Sequence, residues 1–145
     1  MRRFVSSALA LVTTCTVLTG CGWWRAGGES HTKPSGFVLR GYVTVAGAPA
    51  GPVGGPCQVP APGIAQNTPV RVSDPPGTTL GTGALGAGVL AADGEAYRCN
   101  FPFEIDGVPG GHTTYQVSVD DRSPVTFPAD ELRQDKPAVI PVNPS

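Results

Sequence analysis

Between Ala96 and Ile105 the chain alternates so strictly that only one backbone suits it: Tyr97, Cys99, Phe101, Phe103 and Ile105 fall on one side, and Arg98, Asn100 and Glu104 on the other. A repeat of two is the side-chain period of an extended strand. A face carrying three aromatic rings, a cysteine and an isoleucine has to be turned toward a core, and a single sheet cannot supply one unaided. Pro102 lies on the outer side and has no N–H to give a neighbour, which predicts that this strand runs at a sheet edge or carries a bulge.

The rest of the chain supplies the partners. Phe37 to Val45 is a β-favouring run with Phe37, Leu39, Val43 and Val45 on one face. Pro69 to Ser73 alternates, breaks at Asp74-Pro-Pro-Gly77 and reads as a hairpin into Thr78 to Ala84. Thr113 to Val119 turns Tyr115, Val117 and Val119 inward, and short strands are expected at Pro124 to Phe127 and Ala138 to Val142. Seven short strands make an all-β, single seven-stranded β-sandwich over residues 36–145. Ala129 to Arg133, with Pro128 and Asp130 near its start, is the one plausible helical turn. The 20 glycines and 16 prolines do not argue for disorder, because 40% of the chain is hydrophobic and only 14% charged. They concentrate between strands, taking ten of the nineteen positions from Ala46 to Ile64. That loop is either a spacer or a working surface.

Before the strands comes a different kind of segment. Arg2 and Arg3 precede an uncharged apolar run from Phe4 to Leu18, the layout of a secretory signal helix. The run is shorter than the roughly 20 residues a permanent membrane span needs. It ends in Leu18-Thr19-Gly20-Cys21, which resembles the lipobox of bacterial lipoproteins. That resemblance implies cleavage between Gly20 and Cys21, an S-diacylglycerol on the Cys21 thiol and an acyl group on its new amine. Residues 1–20 are then a cleaved lipoprotein signal peptide, and 21–35 the lipidated cysteine with a flexible tether. An ordinary signal peptide with Cys21 as first residue of a secreted protein is the alternative. Two or three acyl chains give a stable anchor, and Trp23 and Trp24 suit the headgroup layer beside it.

With Cys15 discarded and Cys21 lipidated, Cys57 and Cys99 are left, and outside the cytoplasm a disulfide is the simplest fate for such a pair. A metal site competes weakly, since neither belongs to a Cys-x-x-Cys pair and no histidine is spaced to join them.

The stretch Val70-Arg-Val-Ser-Asp-Pro-Pro-Gly77, Leu80-Gly-Thr-Gly83, Phe101-Pro-Phe103, Val108-Pro-Gly110 and Tyr115-Gln-Val-Ser-Val119 resembles the carboxypeptidase regulatory-like and Cna-B-type domains. It departs from them where Gly-Gly-His-Thr-Thr widens the turn before Tyr115 and where Cys99 enters the aromatic strand. The resemblance implies an immunoglobulin- or prealbumin-like sandwich with a structural or binding role and no shared catalytic residues. The whole chain also resembles small lipoproteins of high-GC actinobacteria, in keeping with eight arginines against two lysines.

Other constellations are weaker. Gly81-Thr-Gly-Ala-Leu-Gly86 spells the dinucleotide fingerprint but lacks the helix whose N-terminus would hold a pyrophosphate, so no cofactor is expected. His112 could join Ser118 and Asp120 or Asp121 in a triad, although no nucleophile elbow is present and a solvated turn histidine fits better. Asp106, Asp120 and Asp121 could gather at one end and bind Ca²⁺, but without Asp-x-Asp-x-Asp spacing the expectation is no metal. A net charge of −1 with no basic cluster excludes nucleic acid as a partner class. The expected function is a lipid-anchored, extracytoplasmic, non-catalytic binding or structural module on the cell membrane, whose partners are the membrane and an unknown envelope protein or ligand. Carriage of a lipid or other apolar ligand, and an extracytoplasmic enzyme using His112, are the alternatives.

Overall fold

The computed structural model describes residues 36–144. The expected signal segment and tether, with Cys21, Trp23, Trp24 and His31, lie outside the described residues. The described chain runs β1 (Gly36–Ala46), β2 (Pro69–Ser73), β3 (Thr79–Ala84), β4 (Val89–Asp93), β5 (Ala96–Pro109), β6 (Thr114–Val119), β7 (Val125–Pro128), α1 (Ala129–Arg133) and β8 (Ala138–Val142). It is mostly β, in two four-stranded sheets: sheet A in the order β4-β5-β1-β8 and sheet B in the order β3-β2-β6-β7.

Eight strands stand where seven are expected. The addition is β4, whose only deeply buried large residue is Leu90. Its extended form comes from pairing with β5 across a two-residue turn, in which Gly94 takes a φ of 62° at the first position, the place glycine holds in a type II′ hairpin. The remaining elements lie where the alternation puts them, with β5 running on to Pro109. The helical turn at Ala129–Arg133 also forms, entered through an extended Pro128.

β1 is the hub of sheet A, antiparallel to β5 on one side and parallel to β8 on the other. At its centre a side chain has no room. A Cβ on Gly41 would fall on the Ala138 carbonyl and the Phe103 ring, and Phe103 is its cross-strand partner, so the ring fills the space glycine leaves. Leu39, Val43 and Val45 of β1 and Cys99, Phe101, Phe103 and Ile105 of β5 join Val70, Val72, Tyr115, Val117 and Val119 of sheet B in one hydrophobic cluster.

The expectation that Pro102 marks an edge strand or a bulge needs correction. β5 is interior to its sheet and in continuous register with β1 there, but β4 pairs with it only as far as Asn100. Beyond that point the flank of β5 is locally open, and the Pro102 carbonyl on that side accepts the Gly86 N–H at 2.6 Å. The missing donor thus falls where no strand asks for one.

Candidate functional site

The Gly/Pro-rich loop after β1 is a built part of the fold. Ala48, Ala61 and Ile64 are buried in the core. Its segment 54–57 lies along the outer edge of β4: Gly54 N–H donates to the Leu90 carbonyl (2.8 Å), Leu90 N–H to the Gly55 carbonyl (2.8 Å), and Cys57 N–H to the Gly88 carbonyl (3.1 Å). Cys57 and Cys99 are joined as a disulfide across 42 residues, with Cα atoms 5.8 Å apart, which fixes this segment to β5. Gly88 has to be glycine because a Cβ would meet the Cys99 sulfur at 2.7 Å and the Phe101 ring at 3.0 Å. After β6, Arg122 donates to the Pro62 carbonyl at 2.7 Å and Asp120 lies against Gly63, bracing the other half of the loop. Between the loop and β5 is an open cleft of about 620 Å³, lined among others by Cys57, Gln58, Gln66 and Phe101, with no charged side chain on it.

The same bonds close an edge. A sheet edge presents unpaired N–H and C=O groups that recruit other strands unless they are covered or broken. β4 is covered by the loop, while β8 carries Pro141 and is flanked by Pro137 and Pro144. In sheet B, β3 lies close against β5, where a Cβ on Gly83 would meet the Glu104 carbonyl at 2.9 Å, and β7 is four residues long, preceded by Pro124 and ending in Pro128. The large surfaces left to a partner are the outer faces.

These faces differ in chemistry. Across sheet B the outward rows read Thr82, Arg71, Ser118 and then Ser73, Gln116, Thr126. Across sheet A they read Val89, Asn100, Thr44, Pro141 and then Pro102, Tyr42, Val139. Val89 and Val139 are 39% and 36% exposed, two of the three large apolar residues that stand out to this degree among the described residues. Asn100 sits among them with its Oδ1 buried and lacking a donor among the described residues. Each end of the face is closed by ion pairs. Arg40 meets Glu104 at 2.8 Å and Asp135 at 3.5 Å, and Arg98 meets Asp93 at 2.6 Å. Hydrogen bonding and charge from Glu104, with a smaller pull from Asp135, raise the Arg40 pKa above its ordinary value.

The remaining candidates separate. His112 stacks edge-on against Tyr115, with ring centroids 5.5 Å apart, and Tyr115 in turn meets Phe37 and donates its hydroxyl to the Pro109 carbonyl at 2.8 Å. Ser118 faces outward yet is 5% exposed, and Asp120 and Asp121 follow β6 at its far end. At ~3.3 Å per residue, Thr114 and Ser118 alone are roughly 13 Å apart, so β6 holds His112 away from the other members of the imagined triad. Among the described residues no three His, Cys, Asp or Glu side chains gather as a metal site, so Asp106, Asp120 and Asp121 do not meet. The glycines of the fingerprint-like run have a packing reason: Gly81 faces Ile105, and Gly86 faces Pro102, at the close approach of the β3 region to β5.

What sequence reasoning missed is the apolar outer face of sheet A. Its members come from four strands scattered from residue 42 to residue 141, and only the strand order brings them together. Comparison with protein-family models, with curated proteins and with solved structures finds no match to this chain.

Proposed function

We propose that this chain is a cell-envelope lipoprotein, cleaved before Cys21, held to the extracytoplasmic side of the cell membrane by lipid on that cysteine, and presenting an immunoglobulin- or prealbumin-like β-sandwich of the carboxypeptidase regulatory-like or Cna-B kind as a non-catalytic binding module. Residues 21–35 serve as its tether. The observation that carries the binding role is the outer face of sheet A, where Val89 and Val139 stand exposed beside Tyr42 and Pro102 on a domain whose strand edges are blunted. The binding reading is preferred to carriage of a lipid because Leu39, Val43, Ile105, Val117 and Tyr115, all 1% exposed or less, fill the space between the sheets that a carried chain would need. It is preferred to catalysis because β6 keeps His112 from Ser118, Asp120 and Asp121.

Fractionation of cells tests the anchor. Cys21→Ala should move the protein out of the membrane fraction, and continued membrane residence of a processed variant would overturn lipidation. The binding role is tested by in-cell cross-linking from position 42 on sheet A. Recovery of adducts from Tyr42→Cys and not from Gln116→Cys on sheet B is the expected result, and equal recovery from both would refute it.

A further inference from the structure

We infer that the cleft between β2 and the turn after β6 is a binding site for a small zwitterion, a molecule with one free ammonium and one free carboxylate, as in amino acids and short peptides. The site lies on the sheet B side, so it depends on neither the membrane anchor nor the outer face of sheet A.

The cleft, of about 410 Å³, is lined among others by Arg71, Thr82, Ser118, Asp120, Asp121 and Arg122. That volume falls within the range of small-molecule sites. Two cations and two anions share it. Among the described residues the ion pairs join Arg40, Arg98 and Lys136 to their acids, and none involves these four side chains. Opposite charges therefore line one cleft without meeting each other.

Their positions are fixed by the fold. Strand register sets Thr82, Arg71 and Ser118 in one row across β3, β2 and β6, which places Arg71 between two hydroxyl residues. Asp120 comes two residues after Ser118, so its Cα is roughly 8 Å from that of Arg71 at ~3.3 Å rise and ~4.8 Å strand spacing. Its backbone holds a φ of 51°, a left-handed conformation that is costly for a residue with a Cβ and that collects at functional positions. The Asp120 N–H donates to the Pro69 carbonyl at 2.9 Å, and the carboxylate takes the space that a Cβ on Gly63 would need. Arg122 donates one guanidinium N–H to the Pro62 carbonyl at 2.7 Å, which ties it to the same loop.

Charge selects the ligand. A lone anion would meet Asp120 and Asp121, a lone cation would meet Arg71 and Arg122, and a neutral molecule would take all four from water without giving them partners. A zwitterion answers both signs. Its carboxylate accepts from the Arg71 guanidinium and the Ser118 and Thr82 hydroxyls, while its ammonium donates to Asp120 and Asp121.

The test titrates the full-length protein in mild detergent by calorimetry with glycine, diglycine and triglycine, and with triglycine acetylated at its amine or amidated at its carboxyl. At least one of the three zwitterions should saturate, and the shortest to do so reports the charge separation the cleft takes. Both blocked peptides should bind at least about tenfold more weakly than the best zwitterion, and Arg71→Gln and Asp120→Asn should each weaken that zwitterion by about tenfold or more. Arg71 is exposed and Asn tolerates the left-handed backbone, so both variants fold, which unchanged thermal melts check. If a variant melts early, the blocked peptides on the parent protein still decide. Saturation by none of the three, blocked forms that bind as tightly, or variants that bind like the parent would overturn the site. None of these outcomes bears on fractionation of Cys21→Ala or on cross-linking from sheet A, so failure here is separable from failure of the anchor or of the binding face.

Discussion

The two outer faces of this domain are built on the same strand periodicity and end differently. Sheet B shows water Thr82, Arg71, Gln116 and Thr126, the usual polar exterior of a two-layer β protein, whereas sheet A shows Val89, Pro102, Tyr42 and Val139 around Asn100. Burial on the inner side explains both inner faces and neither outer one. A polar exterior costs a fold nothing, but an apolar one invites association, so its presence on one face only, on a domain that guards its strand edges, is what supports the binding role proposed for that face.

The guarding of sheet A gives the largest expected effect. Cys57→Ser should lower unfolding free energy by about 4 kcal/mol, since the bridge closes a 42-residue loop, and denaturant titration without reductant would show it. A loss under about 1 kcal/mol would mean that the loop holds β4 without the bond. Next come glycines of the two sheets. Gly41→Ala should lose about 1–3 kcal/mol, because a backbone carbonyl and an aromatic ring occupy the site. Gly81→Ala in sheet B should lose less, its nearest obstacle being the Ile105 methyl at 2.8 Å. The reverse order in thermal melts would contradict the tight centre of sheet A. Tyr115→Phe removes one hydroxyl donor from the Pro109 carbonyl and should lower stability by about 1 kcal/mol by the same titration, with no loss refuting that bond. Smallest in stability are Val139→Thr and Thr126→Val, each within about 0.5 kcal/mol. Their readout is retention on a hydrophobic column, which should fall for the first and rise for the second, and unchanged retention for Val139→Thr would remove the distinction between the faces.

Much of this was legible residue by residue. β1, β5 and β6 announce themselves because large apolar side chains recur every second position, and two cysteines left after the N-terminal motif suggest their own bond. β4 does not announce itself, since alanines fill its middle and its strand character is imposed by β5 on one side and by the Gly54–Cys57 backbone on the other. Pro102 misleads because edge is a local property: one strand can be interior at Asn100 and open two residues later. The long loop misleads because glycine and proline report backbone freedom in the unfolded chain, while Ala61, Ile64 and the disulfide decide where it lies when folded. The apolar outer face of sheet A is invisible in sequence for a topological reason, since its four strands are neighbours only after folding.

The position of β1 between β5 and β8 also sets a timetable. A chain is made from its amino end, so the strand that anchors sheet A emerges first, yet its two neighbours begin at Ala96 and Ala138. Once β5 is made it covers one flank of β1, but the other flank stays open to the wrong strand until β8 is available. Deleting β8 should therefore leave β1 as an uncovered edge strand, with aggregation rather than a trimmed native domain as the product.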